Sequence, residues 1–159
     1  MPFVQLRKDS TKVQCTHTNA SYISNILHSS APHRCQYPGG IPIGAALYNH
    51  VTHTLLGTGS NQRIQKSSPT LHGEMACLES IGRLPARILK QCTMYTTLSP
   101  CTMCSGAVIL FGIGRVVMGE NETFVGGEDL LKEYGVEVVN LGEYFDLLIL
   151  FTQGIAYQT

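Results

Sequence analysis

From Cys92 to Gly119 the chain runs CTMYTTLSPCTMCSGAVILFGIGRVVMG. Cys92–Leu98, rich in Thr, Tyr and Met, reads as a strand. Pro100 stops it. Cys101–Phe111 then reads as an apolar helix that ends near Gly112 and Gly114, and Arg115–Gly119 follows as a short strand. Strand, helix and strand in this order predict a βαβ crossover, and so two parallel strands in one sheet.

The pattern continues in both directions. Gly126 and Gly127 lead into a helix over Glu128–Tyr134 that Gly135 caps, then a strand over Val136–Leu141 and a helix over Glu143–Phe151. On the other side, Pro38-Gly39-Gly40 is a turn signal. Ile43–Tyr48 and Thr54–Gly59 form a hairpin around Asn49–Thr52, and Asn61–Thr70 is a polar loop. His72–Ile81 is helical, with Gly82 as its C-terminal cap and Pro85 limiting any continuation. Residues 1–37 are rich in Ser, Thr, His and Asn. Their one short helical pattern sets Tyr22, Ile23, Ile26 and Leu27 on one face and ends before Pro32. The expectation is an α/β fold with a mixed sheet of about five strands and helices on both faces. It is a single domain over 38–159, preceded by a divergent segment over 1–37.

Composition narrows the function. A chain of 159 residues, 43% apolar, suffices for one domain with a real core. The formal net charge is zero and the sequence pI about 7.0, where a protein that grips phosphates usually carries a basic excess, so no nucleic-acid partner is expected. The start lacks a basic segment followed by an apolar run, and the apolar stretches Gly106–Ile113 and Leu147–Phe151 are far too short to span a bilayer. The expectation is a soluble intracellular protein without membrane contact, of the cytoplasm and also of the nucleus.

Chemistry concentrates in two places, His72-Gly73-Glu74 and Pro100-Cys101-Thr102-Met103-Cys104. Cys101 and Cys104, three apart at a helix start, share a face, and the positive end of the helix favours the thiolates that zinc requires. The neutral imidazole of His72 makes a third ligand. Three protein ligands leave the fourth tetrahedral position open for water, the arrangement of a catalytic rather than a structural zinc. Glu74, two residues beyond His72 at a helix start, can stand beside that water, take its proton and deliver it to a leaving amine. H-x-E paired with P-C-x-x-C is the known signature of the zinc deaminases. Taken alone, C-x-x-C would equally suit a structural zinc knuckle or a redox pair, but neither needs Glu74.

Cys77 or Cys92 could be proposed as the fourth ligand of a structural zinc. Cys77 falls roughly 140° from His72 on a helix of about 3.6 residues per turn, and Cys92 opens a strand whose far end leads to Pro100. Both read as core. His17, His28, His33, His50 and His53 lie in polar stretches and read as exposed, without a role.

Together, Thr70-Leu71-His72-Gly73-Glu74 and the run Tyr95-Thr96-Thr97-Leu98-Ser99-Pro100-Cys101-Thr102-Met103-Cys104-Ser105-Gly106-Ala107 resemble the fungal cytosine deaminases. The likeness extends from about Gly39 to about Val139. It includes Ile41-Pro42-Ile43-Gly44, Gly59-Ser60-Asn61, Gly82-Arg83-Leu84 and Gly119-Glu120-Asn121. Bacterial tRNA adenosine deaminases typically carry His-Ala-Glu and Glu-Pro-Cys where this chain has His72-Gly73-Glu74 and Ser99-Pro100-Cys101. The resemblance implies a three-layer α/β/α deaminase fold, one zinc per chain on His72, Cys101 and Cys104, a homodimer and a place in pyrimidine salvage. It implies that Glu74 is the catalytic proton shuttle and that Asn61 hydrogen-bonds a pyrimidine. Gly73 and Ser99 would touch the base or the attacked centre through backbone groups. Phe124 would stack near the ring, and Ile43 and Leu98 would wall the pocket. Read without the resemblance, Asn61 is a turn residue and Phe124, Ile43 and Leu98 are core.

The likeness fails at both ends. Residues 1–37 do not match the family's amphipathic first helix. After Val139 the family's terminal helix, with a tryptophan and an acidic residue that close the pocket, has no counterpart: the chain contains no Trp, and Asp146 is an acid only near the right place. The expected reaction is deamination of free cytosine to uracil and ammonia. The alternatives are a tRNA adenosine or nucleoside deaminase with the same zinc site, or an impaired zinc-binding homologue.

Overall fold

The computed structural model describes residues 40–142. The helices expected at Tyr22–Leu27 and Glu143–Phe151, and Asp146, lie outside the described residues. Within them run β1 (Gly44–Asn49), β2 (Thr54–Ser60), α1 (Gly73–Ile81), α2 (Ala86–Leu89), β3 (Cys92–Leu98), α3 (Thr102–Phe111), β4 (Arg115–Glu120), α4 (Glu128–Glu133) and β5 (Glu137–Asn140). The five strands form one sheet in the order β2-β1-β3-β4-β5. β1 is antiparallel to both β2 and β3, while β3, β4 and β5 are parallel. This is the mixed five-stranded sheet expected from the sequence.

Period-two alternation along the strands separates two apolar clusters. Leu47, Met94 and Val116 point to one face, where Cys77 of α1, Leu89 of α2, Val108 of α3 and Leu131 of α4 pack on them. Ala46, Tyr48, Tyr95 and Val117 form the buried cluster on the other face. Among the described residues the helices thus share one face. Helices on both faces are expected from the sequence; the two other segments read as helical, around Tyr22–Leu27 and over Glu143–Phe151, lie outside the described residues.

Several bounds differ by a residue from the sequence reading, α1 beginning at Gly73 rather than His72 and β1 at Gly44 rather than Ile43, and two further differences have a clear physical reason. α2 is unexpected, because Pro85 looks like a stop. Proline lacks an N–H but sits well just before a helix, and here the Pro85 carbonyl accepts the amides of Ile88 and Leu89. α3 starts one residue late: Cys101 is its N-cap, with φ −64° and ψ 169°, not its first helical residue.

The seat of α1 is built from glycine. A Cβ placed on Gly59 would lie 2.2 Å from the Cys77 nitrogen and 2.6 Å from the Gly73 oxygen, and one on Gly57 would lie 2.4 Å from Ile81 Cγ2. Both glycines underlie α1, which rests backbone to backbone on β2 at Gly59. Gly59→Ala has no flexible side chain to push aside. It should cost about 3 kcal/mol, as overpacking of a rigid contact does, and lower the calorimetric unfolding midpoint by about 10 °C.

The topology also gathers certain residues at one end of the sheet. Ile43 precedes β1 and Asn61 follows β2. Ser99 follows β3, and Asn121 follows β4.

Candidate metal centre and active site

His72 is the N-cap of α1, with φ −67° and ψ 168°. Its backbone is still extended, while Gly73 already begins the helix. This break in geometry lets two side chains only two residues apart approach one point. Gly73 lies against β1: an added Cβ would stand 3.0 Å from the Ile43 oxygen and 3.3 Å from Gly44 Cα. Cys101 repeats the arrangement at α3, and Cys104 follows one turn into that helix.

The three donor atoms converge. His72 Nδ1 is 3.6 Å from Cys101 Sγ, and Cys101 Sγ is 3.7 Å from Cys104 Sγ. All three lie within 4.8 Å of one another, and among the described residues they are the one such group. Tetrahedral zinc, with Zn–S about 2.3 Å and Zn–N about 2.0–2.1 Å, sets its ligand atoms about 3.5–3.8 Å apart. The donor set and its spacing therefore fit the metal.

Glu74 is buried, 2% exposed, beside this group. Its Oε1 accepts the Thr96 hydroxyl at 2.9 Å, and its Oε2 accepts the Cys104 thiol at 3.4 Å. The Thr96 hydroxyl also lies 3.1 Å from the Leu98 carbonyl, so its single hydrogen has two acceptors on offer. Thr96 was not a candidate in the sequence. The signal it gave is a polar residue inside an otherwise core strand, since β3 is buried from Cys92 to Thr97.

The helix-dipole argument for ready thiolates needs correction at Cys104. Burial, first, and then the nearby Glu74 and Cys101 push its thiol far above the ordinary range. A helix terminus acts locally and is outweighed by desolvation and like charge. A divalent cation is what reconciles this crowd of acids, and binding it must release the Cys104 proton. Apparent zinc affinity should therefore rise with pH, by up to about tenfold per unit for each proton displaced. The raised position of Cys104 keeps it protonated without metal across neutral pH, so the slope should persist there. Competition with a chromophoric chelator between pH 6 and 9 measures it; a flat profile contradicts it.

Asn61 is buried. Its amide donates to the Ile43 carbonyl at 2.8 Å, and its Oδ1 accepts the Arg63 amide at 3.1 Å, the turn role that the residue type alone predicts. Gly73, Ile43 and Asn61 thus meet around one carbonyl. Leu98 joins the metal group through Thr96. Ser99 is buried and bonds Glu128 through its hydroxyl at 2.9 Å. Phe124 is no core aromatic: it is 45% exposed, in the loop after β4. Cys77 and Cys92 are core, as expected. Burial pushes their thiols up to about 12 and about 11, and they donate to the carbonyls of Gly57 and Ile88. His50 and His53 are exposed; the remaining three histidines lie outside the described residues.

The family model described as the cytidine and deoxycytidylate deaminase zinc-binding region matches residues 14–120. A cytosine deaminase of Candida albicans is 58% identical over 115 residues, covering 71% of this chain and 76% of that protein. A tRNA-specific adenosine deaminase of Haemophilus influenzae is 38% identical over 85 residues, 53% of this chain and 49% of its own. Among solved structures, a guanine deaminase from Nitrosomonas europaea superposes with a TM-score of 0.61 at 20% identity, covering 90% of this chain and 86% of that one, a likeness of fold.

Proposed function

This chain belongs to the cytidine and deoxycytidylate deaminase zinc-binding family, and we propose that it hydrolyses free cytosine to uracil and ammonia with one zinc per chain. The observation that carries the reaction is Glu74: a buried carboxylate with one oxygen at Cys104 Sγ and the other held by Thr96. A structural zinc needs a fourth protein donor and no such neighbour. The likeness to the Candida albicans cytosine deaminase supports the substrate, since the tRNA-specific relative is less similar over about half the chain.

His72, Cys101 and Cys104 would hold the metal, which when bound supplies Lewis acidity and a hydroxide nucleophile near neutral pH. Glu74 takes the proton released as water adds to the carbon bearing the amine. It returns that proton to the nitrogen, the C–N bond breaks and ammonia leaves. Thr96 keeps Oε1 of Glu74 engaged, which leaves Oε2 on the side of the metal donors. Asn61 binds the pyrimidine, Gly73 and Ser99 contact it through their backbones, Ile43 and Leu98 form walls, and Phe124 stacks near the ring.

Two further readings belong with this one. The protein acts as a homodimer: Leu110 and Phe111, at the end of α3, are 79% and 41% exposed, an apolar surface that a second copy would cover. It works in pyrimidine salvage, in the cytoplasm and also the nucleus. The deciding experiment is uracil formation from cytosine by the zinc-loaded protein. Turnover of cytosine supports the assignment; one zinc per chain without it, or turnover of a nucleoside or tRNA instead, overturns it.

A further inference from the structure

Glu128 is a buried carboxylate outside the metal group. It is the first residue of α4 and 8% exposed. Its Oε1 accepts two hydrogen bonds, from the Ser99 hydroxyl and from Asn121 Nδ2, each at 2.9 Å. Lys132 Nζ stands 4.0 Å from Oε2 on the solvent side.

Ser99 passes the order on. Its single hydroxyl hydrogen goes to Glu128, so its oxygen is free to accept, and it takes the Gly126 amide at 3.0 Å. The Gly127 amide reaches the Pro100 carbonyl at 2.7 Å. Gly126 approaches so closely that a Cβ there would lie 2.1 Å from the Pro100 oxygen. The segment 121–127 is thereby tied at Gly126 and Gly127 directly to Ser99 and Pro100, the two residues before the metal donor Cys101, and at Asn121 to Ser99 through their shared acceptor Glu128. Between the tied ends stand Phe124 and Val125, 45% and 69% exposed. So short a loop has little freedom once its ends are fixed.

We propose that Glu128 is a positioning residue for substrate binding: by holding Ser99 and Asn121 together, it sets the Phe124 loop against the loop that carries Cys101. This rests on the reading of Ser99 and Phe124 as substrate-facing. Without the carboxylate, the Ser99 hydroxyl can turn to other acceptors, and the Gly126 amide loses an oriented partner.

The test compares zinc-loaded Glu128→Ala and Glu128→Gln with the parent protein, by kinetics on cytosine and by amide hydrogen exchange. Glu128→Ala should raise KM about tenfold, the scale of one or two lost hydrogen bonds, with kcat within about threefold and zinc still one per chain. Gly126 amide exchange should speed up by about tenfold or more. Glu128→Gln keeps a carbonyl oxygen for Ser99 and Asn121 and should stay within about threefold of the parent in both. A KM and a Gly126 exchange rate unchanged in Glu128→Ala overturn the proposal. So does a fall in kcat with KM constant, or a Glu128→Gln as impaired as Glu128→Ala. If the parent protein does not turn over cytosine, the functional reading fails by itself. The exchange rate then decides whether Glu128 orders the loop, and an unchanged rate overturns that too.

Discussion

Glu74→Gln should leave one zinc bound per chain and lower kcat for cytosine by about a thousandfold, within the range that general acid–base catalysis supplies. The amide is nearly isosteric and can still accept the Thr96 hydroxyl at the position of Oε1, so the local packing should survive. What it cannot do is take a proton from water and give it back to the amine. Zinc content by elemental analysis, beside kcat and KM, checks this. A variant that keeps a tenth of the parent rate would show that the proton travels by another route. Thr96→Val, which removes only the hydroxyl that holds Glu74, should fall between the two.

The second large effect concerns the donors. Cys101→Ala should weaken zinc binding by more than about a hundredfold, since loss of an outer partner of a ligand alone costs 10–100-fold. Turnover should disappear with the metal. Cys92→Ala is the informative control, because Cys92 is equally a cysteine but is fully buried and its thiol donates to the Ile88 carbonyl, away from the metal group. It should keep its zinc and lose about 1–2 kcal/mol of stability, the scale of a small core truncation. Zinc lost from Cys92→Ala, or retained in Cys101→Ala, would overturn the assignment of donors.

Much of this arrangement is legible in local sequence. The β3–α3–β4 unit is written in 28 consecutive residues, Cys92–Gly119, and the metal donors fall at the starts of two helices that spacing alone places. The rest depends on contacts between distant positions. Thr96 and Glu74 are 22 residues apart, and Ser99 and Glu128 are 29 apart. Nothing in the periodicity of β3 or α4 announces those pairs; only the packing of the helices on one face of the sheet creates them. Cys104 teaches the same lesson in electrostatics. Its place in α3 is local information and argues for a thiolate, while its burial and the nearness of Glu74 and Cys101 are tertiary, and they prevail. The short α2 was hidden for a different reason: the proline that ends one helical pattern also starts another.

Ile43, Asn61, Ser99 and Asn121 all lie at one end of the sheet, and among the described residues the hairpin turn between β1 and β2 lies at the opposite end. There β1 turns into β2 through His50–His53, four exposed residues whose bend is held by the Asn49 side chain accepting the amides of Val51 and Thr52. The turn lies about the length of a strand from the reacting groups. A peptide tag or fusion partner inserted between Val51 and Thr52 would therefore tether this protein to a surface or a second protein from the end of the sheet opposite Ser99 and Asn121.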